Sequence, residues 1–234
     1  MKVLLISDYD GTIGDLCIRA NLGAIREFVQ KGHVLNISTA RTYRDIKTVT
    51  NCLKIDYQYL TCDNGAVSFD ANNRVIKLNA FNKRELEFFN DCLKNNKNCL
   101  NITFIDYHGN RYSNNIPNYH LDSITSIQVI CNPFYDLSNE FRNIPGYKCD
   151  HYCGNIYNIK RAYVNKAYGA SNVIDHLAEQ DREEYMVYSV GNSYNDLCLL
   201  KKYNGYRTPL SSKVLKNNQI KKTKSVHSLI NKII

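Results

Sequence analysis

Two acids stand one residue apart at Asp8 and Asp10, directly after Lys2-Val3-Leu4-Leu5-Ile6. The apolar run, rich in branched residues, reads as a buried strand of a parallel sheet. Ligands of open α/β sheets sit outside the carboxyl ends of strands, where these acids fall. One carboxylate of such a pair can act as nucleophile and metal ligand, and the other as general acid and base. Gly11 lets the chain turn without a Cβ penalty, and Thr12 offers a hydroxyl donor. A solvated loop after a strand would use the same residue types, so the acids need support from elsewhere in the chain.

Four further polar stretches stand at predicted strand ends and helix starts. Ser38-Thr39-Ala40-Arg41 closes a short run, Val34 to Ile37, and opens a helix. Hydroxyls and backbone N–H groups at a helix start make an anion site, although Ser and Thr are also preferred there as plain caps. Asn64-Gly65-Ala66 closes a third strand, and reads either as a turn or as a binding position. Lys166 opens a helix after Tyr163-Val164-Asn165, and Gly191-Asn192-Ser193-Tyr194-Asn195-Asp196 follows the strand Met186 to Val190. Carboxylate and amide oxygens at such a place suit a hard cation such as Mg²⁺.

The elements between these clusters alternate. Helical spacing marks Ala20 to Lys31, ended by Gly32, and Thr42 to Leu53. This rhythm predicts a doubly wound parallel sheet. It breaks after Ala66. A hairpin is expected over Val67–Leu78, then a helix over Lys83–Asn95, strands over Leu100–Tyr107 and Ile127–Cys131, a helix over Tyr135–Asn143 and a strand over Tyr147–Tyr152. The alternation resumes with a strand over Asn155–Lys160. The reading is therefore an α/β core over residues 1–79 and 158–234, with an inserted α+β cap over 80–157.

Composition fits this. A chain of 234 residues, 44% hydrophobic and 22% charged, can bury a sizeable core. No apolar run reaches the length of a membrane span, and Met1-Lys2-Val3 leads into a strand rather than a secretory signal, so a cytoplasmic protein is expected. The nine cysteines form no disulfide framework or zinc spacing. The net charge of +8 suits a phosphate-bearing substrate as well as nucleic acid.

Together, the DxDGT stretch and the later clusters resemble, in order, the motifs of the haloacid dehalogenase-like (HAD) hydrolases, closest to the Cof-type sugar-phosphatase branch. The resemblance implies a Rossmann-like core with Asp8 as nucleophile and Asp10 as acid and base. It implies that Thr39 and Lys166, with Gly11 and Thr12, hold the phosphoryl group. Mg²⁺ would be held by Asp8, the Asp10 carbonyl, Asn192 and Asp196, with Asn64 and Asn195 in support. The chain departs from the family pattern at Ala40, where Gly is usual, at Ala167, again for Gly, and at Asn192, where the family has Asp. The implied activity is a Mg²⁺-dependent phosphatase acting on a small phosphorylated metabolite, with no nucleic-acid or membrane partner. His108, Arg111 and Tyr112 are candidates for reading the substrate from the cap. The alternatives are a phosphate-ligand binder with a weakened site, suggested by Asn192, and a phosphosugar mutase.

Overall fold

A computed structural model describes residues 1–113, 116–180 and 183–234. It divides into two compact units, one of residues 1–41, 45–77 and 165–234, the other of residues 42–44 and 78–164.

The first unit starts with β1 (Lys2–Ser7), α1 (Ile18–Gln30), β2 (Val34–Ser38), α2 (Tyr43–Leu53) and β3 (Tyr59–Cys62). After a short turn come β4 (Val67–Phe69) and β5 (Val75–Leu78). The chain then leaves for the second unit, with α3 (Lys83–Lys94), β6 (Cys99–Asp106), β7 (Arg111–Tyr112), β8 (Ile124–Cys131), α4 (Ser138–Phe141), β9 (Tyr147–Cys153) and β10 (Ile156–Arg161). It returns through α5 (Lys166–Gln180), β11 (Tyr185–Gly191), α6 (Leu197–Lys202), β12 (Gly205–Arg207), α7 (Lys213–Asn217), β13 (Lys221–Lys222) and α8 (Val226–Ile233).

The first unit is an eight-stranded sheet in the order β13-β12-β11-β1-β2-β3-β4-β5. All pairings from β13 to β3 are parallel, and β4 turns antiparallel to β3. β1 lies at the centre, with Lys2 opposite Tyr185 and Leu4 opposite Val34. Its residues Val3 to Ile6 are at most 4% exposed, as a strand covered on both faces requires. Leu4 and Ile6 pack on one side against Ala170, Val173 and Leu177 of α5 and Leu199 of α6. The fold class is thus α/β with a mainly parallel sheet.

The second unit is a five-stranded antiparallel sheet in the order β7-β6-β8-β10-β9. Its core is aromatic and aliphatic, built around Phe81, Phe89, Phe104, Ile127, Val129 and Phe141. α3 is started by a reciprocal cap, in which Asn82 Oδ1 accepts from the Glu85 N–H at 3.0 Å and Glu85 Oε2 accepts from the Asn82 N–H at 2.6 Å.

Two elements differ from the sequence expectation. The strand expected at Asn155–Lys160 to resume the parallel pattern instead pairs antiparallel with β8 and β9. Its inner residues alternate buried and half-buried, the signature of a strand with one covered face. The helix expected over Tyr135–Asn143 is only one turn, because Asp136 Oδ1 accepts from the Ser138 N–H at 3.0 Å and delays its start. Among the described residues, no helix is long and apolar enough to cross a membrane.

Candidate active site

The carboxyl end of β1 delivers Asp8, whose N–H continues the ladder onto the Val190 carbonyl of β11 at 2.9 Å. Tyr9 to Gly14 then form a tight loop, with the Gly14 N–H on the Tyr9 carbonyl at 2.8 Å. Gly11 sits at φ +68°, and a Cβ there would lie 2.1 Å from the amide nitrogen of Asn192. No other residue fits both the backbone angle and that contact. The loop is fastened from behind by Asn21 of α1, a fully buried side chain that donates to the carbonyls of Thr12 and Ile13 at 3.3 and 3.1 Å.

Asp8 is 4% exposed, and Lys166 reaches it from the start of α5. The Lys166 ammonium donates to Asp8 Oδ1 at 2.6 Å and to Asp196 Oδ1 at 2.7 Å. Thr12, also buried, places its hydroxyl 3.4 Å from Asp8 Oδ2. Burial pushes the Asp8 carboxyl up to about 7, against the pull of Lys166 and with the help of the Asp196 charge. Burial alone would discharge Lys166, but the two carboxylates hold its ammonium above the ordinary lysine range. α5 is set by close backbone contact. A Cβ on Gly169 would come within 2.7 Å of the Gly65 Cα, so the helix rests directly on the turn after β3.

That turn and the one after β11 are tied together. Asn64 takes a left-handed backbone, φ 54°, and its N–H bonds the Thr39 carbonyl at 3.0 Å. Asn195 Nδ2 donates to Asn64 Oδ1 at 3.0 Å. Thr39, fully buried just after β2, accepts the Arg41 N–H on its hydroxyl oxygen at 3.1 Å, so it shapes the turn that leads into α2.

Asp10 points to solvent and is gripped on both oxygens by Arg41, at 2.8 and 2.7 Å, with the guanidinium 5.4 Å from the centre of the Tyr9 ring. The hydrogen bond to Asp10 raises the Arg41 pKa further. Sequence reasoning gave Arg41 no role. Its place two residues beyond Thr39, at the same sheet end as the acids, was the available signal. Asn21 was likewise missed, because an Asn inside a helical run carries no mark of its task.

Asp196, read from the sequence as a metal ligand, has both oxygens occupied. Oδ1 takes the Lys166 ammonium, while Oδ2 accepts the N–H groups of Asn192 and Ser193 at 2.9 Å each and the Ser193 hydroxyl at 3.2 Å. Among the described residues, no three His, Cys, Asp or Glu side chains gather into a metal site. The remaining donors are the Asp8 carboxylate, the Asp10 carbonyl and the Asn192 carboxamide beside Gly11. They are all oxygen and carry little charge, which fits a cation that keeps several waters, as Mg²⁺ does. In the second unit, Arg111 donates to Gln128 Oε1 at 2.8 Å and Tyr112 to Asp106 Oδ2 at 3.1 Å, so both are engaged within their own sheet. The His108 ring lies against the Tyr107 ring, centroids 4.0 Å apart.

Residues 5–132 match the haloacid dehalogenase-like hydrolase family, and the chain belongs to it. Solved structures with the same fold include a hypothetical protein from Geobacillus kaustophilus, 17% identical over 100% of this chain and 98% of its own, with a TM-score of 0.81. A second, from Bacteroides thetaiotaomicron, is described among the phosphatases of the haloalkanoate (HAD) enzyme superfamily. It is 16% identical over 100% of this chain and 94% of its own, with a TM-score of 0.77. A third is a HAD subclass IIB sugar phosphatase, 15% identical over 99% and 98%, with a TM-score of 0.73. No curated protein matches the sequence.

Proposed function

We propose that this hydrolase is a Cof-type, Mg²⁺-dependent phosphatase that releases phosphate from a small phosphorylated metabolite, with the antiparallel unit as its inserted cap. The observation that carries the reading is the buried ammonium of Lys166 shared between Asp8 and Asp196 at the carboxyl ends of β1 and β11. The phosphatase and sugar-phosphatase neighbours support it at the level of fold.

The reaction is two displacements. A carboxylate oxygen of Asp8 attacks phosphorus, the ester P–O bond breaks, and the leaving oxygen takes a proton from Asp10. In the second step Asp10, now a carboxylate, takes a proton from water. The water oxygen attacks the aspartyl-phosphate, and the bond to Asp8 breaks to free inorganic phosphate. To carry a proton Asp10 must first give up one of its two Arg41 bonds. Lys166 and Thr39 offset and bind the phosphoryl charge, with the Gly11–Thr12 backbone beside them. Mg²⁺, held by Asp8, the Asp10 carbonyl and Asn192, would supply charge neutralisation at the phosphoryl oxygens.

A panel of phosphorylated sugars, nucleotides and cofactors, assayed for phosphate release with Mg²⁺ and with chelator, tests the reading. Chelator-sensitive release is expected, together with a loss of at least about 10⁴-fold in Asp8→Asn. Asp10→Asn should lose more rate, on the order of 10²-fold or beyond, with a poor leaving group than with an aryl phosphate. Substantial turnover by Asp8→Asn, or equal losses for both substrates in Asp10→Asn, would sink the mechanism.

A further inference from the structure

The net charge of this chain is confined to one edge of its main sheet. Residues 197–234 hold eight lysines and one arginine and no acid, which leaves 21 basic against 22 acidic residues in the rest of the protein. The excess therefore belongs to α6, β12, α7, β13 and α8. The eight lysines (Lys201, Lys202, Lys213, Lys216, Lys221, Lys222, Lys224 and Lys232) are all exposed. Among the described residues, none of the nine forms an ion pair. They lean on neutral groups instead. Lys221 and Lys232 both approach the Tyr206 ring, at 5.8 and 5.1 Å, and Lys202 donates to Ser171 Oγ at 2.5 Å.

Lysines on an edge strand deter edge-to-edge pairing, which accounts for Lys221 and Lys222 on β13. It accounts neither for the lysines on three helices nor for the absence of acids over the whole segment. The topology gives these charges a shape. α8 packs against α1, which links β1 to β2, whereas α6 packs against α5 and links β11 to β12 in the opposite direction. Right-handed crossovers put α6 and α7 on one face and α1 with α8 on the other. The lysines thus wrap around the β13 edge from both faces.

We propose that this edge binds the phosphate backbone of single-stranded nucleic acid, without reading its sequence. A planar membrane cannot meet both faces of a sheet edge, and α8 has its apolar residues Val226, Leu229 and Ile230 buried. A flexible polyanion can bend around the edge, and lysines are point charges suited to phosphate rather than to base edges.

The test is fluorescence anisotropy on the full chain with 5′-hydroxyl single-stranded RNA and DNA of about 30 mixed-sequence nucleotides, which exceeds the usual single-strand site size. The matching duplex and vesicles containing anionic lipid are run beside them. Oligonucleotides without a terminal phosphate monoester keep the outcome independent of the phosphatase reading. Single strands are expected to bind in low salt and, for five lysine contacts, to weaken by about 100-fold between about 50 and 200 mM salt. Lys221→Gln, Lys222→Gln, Lys224→Gln and Lys232→Gln together should weaken binding by at least about tenfold and flatten the salt slope. The same charge change spread over Lys54, Lys77, Lys83 and Lys94 should shift it by less than about threefold, and neither set should alter phosphatase rates. If the edge set fails to fold, Lys213→Gln with Lys216→Gln is read in its place. Absence of binding in low salt, equal losses from both sets, or preference for duplex or vesicles would overturn the proposal.

Discussion

Among the described residues, two carboxylates outside the acid loop are almost fully buried, Asp196 in the first unit at 0% exposure and Asp106 in the second at 1%. Asp106 is satisfied locally. Its oxygens accept the backbone and side-chain N–H groups of Asn110, both at 2.8 Å, and the Tyr112 hydroxyl at 3.1 Å, with the His120 ring 3.7 Å away. Most of these donors lie within six residues, so this charge pins the turn between β6 and β7. Asp196 also has local donors, from Asn192 and Ser193 on Oδ2, but its Oδ1 takes a cation 30 positions away, and that cation reaches a second acid 158 positions away. A buried acid with nearby neutral donors shapes a hairpin. One whose partner is a shared ammonium ties three distant segments into a charged cluster that can do chemistry.

The sharpest way to break this contrast is to remove the shared cation. Lys166→Met leaves two buried carboxylates facing each other, and a loss of about 3–5 kcal/mol in denaturant unfolding at neutral pH is expected, together with turnover. The pH dependence follows from Asp8, which ionises near 7 in the folded chain against 3.8 ordinarily. Lys166 lowers that value, so without it Asp8 stays protonated to higher pH, and the deficit of the variant should be smallest below about pH 7 and grow as the pH rises beyond it. A deficit that stays constant as the pH rises would mean that Lys166 acts only through packing.

Asp106→Asn removes a charge held by the Asn110 N–H groups and the Tyr112 hydroxyl. It should cost about 1–3 kcal/mol, with faster amide exchange in β6 and β7. It should leave hydrolysis of an aryl phosphate within about threefold of wild type, an allowance of about 0.7 kcal/mol. A collapse of that rate would erase the distinction between the two acids.

The smallest effect is expected at Asn192, which lies on Gly11. Asp at this position would add a charge worth about 4 kcal/mol at 4 Å and an effective dielectric of 20, less its own desolvation. Asn192→Asp should therefore tighten Mg²⁺ by about tenfold in calorimetric titration without substrate. A smaller gain is expected when an inert phosphate analogue is present. Tight binding by wild type with no change in the variant would remove Asn192 from the metal shell.

Much of this was legible in the chain. The apolar runs and polar clusters marked the strand ends, and Asp8, Lys166 and Asp196 do come within hydrogen-bonding distance. What escaped was pairing. Nothing in Asp196 announces that both its oxygens are used inside the protein, because its donors include two backbone N–H groups. The Asp10–Arg41 pair joins two loops whose separation in sequence says nothing of their separation in space. The strand at 156–161 was assigned by order rather than by its alternating pattern, which pointed to the antiparallel sheet. β13 and α7 are too short for periodicity to show.

The central position of β1 has a consequence in time. One of its neighbours, β2, is made within the next forty residues, but the other, β11, begins only at Tyr185. At ribosomal speeds of about 5–20 residues per second, one side of β1 waits roughly ten to forty seconds for its partner. Over that interval the first strand translated keeps an open edge, and Asp8 has no Lys166 beside it for almost as long. A nascent chain halted before α5 should accordingly be the species most dependent on chaperones, although it already contains the whole antiparallel unit.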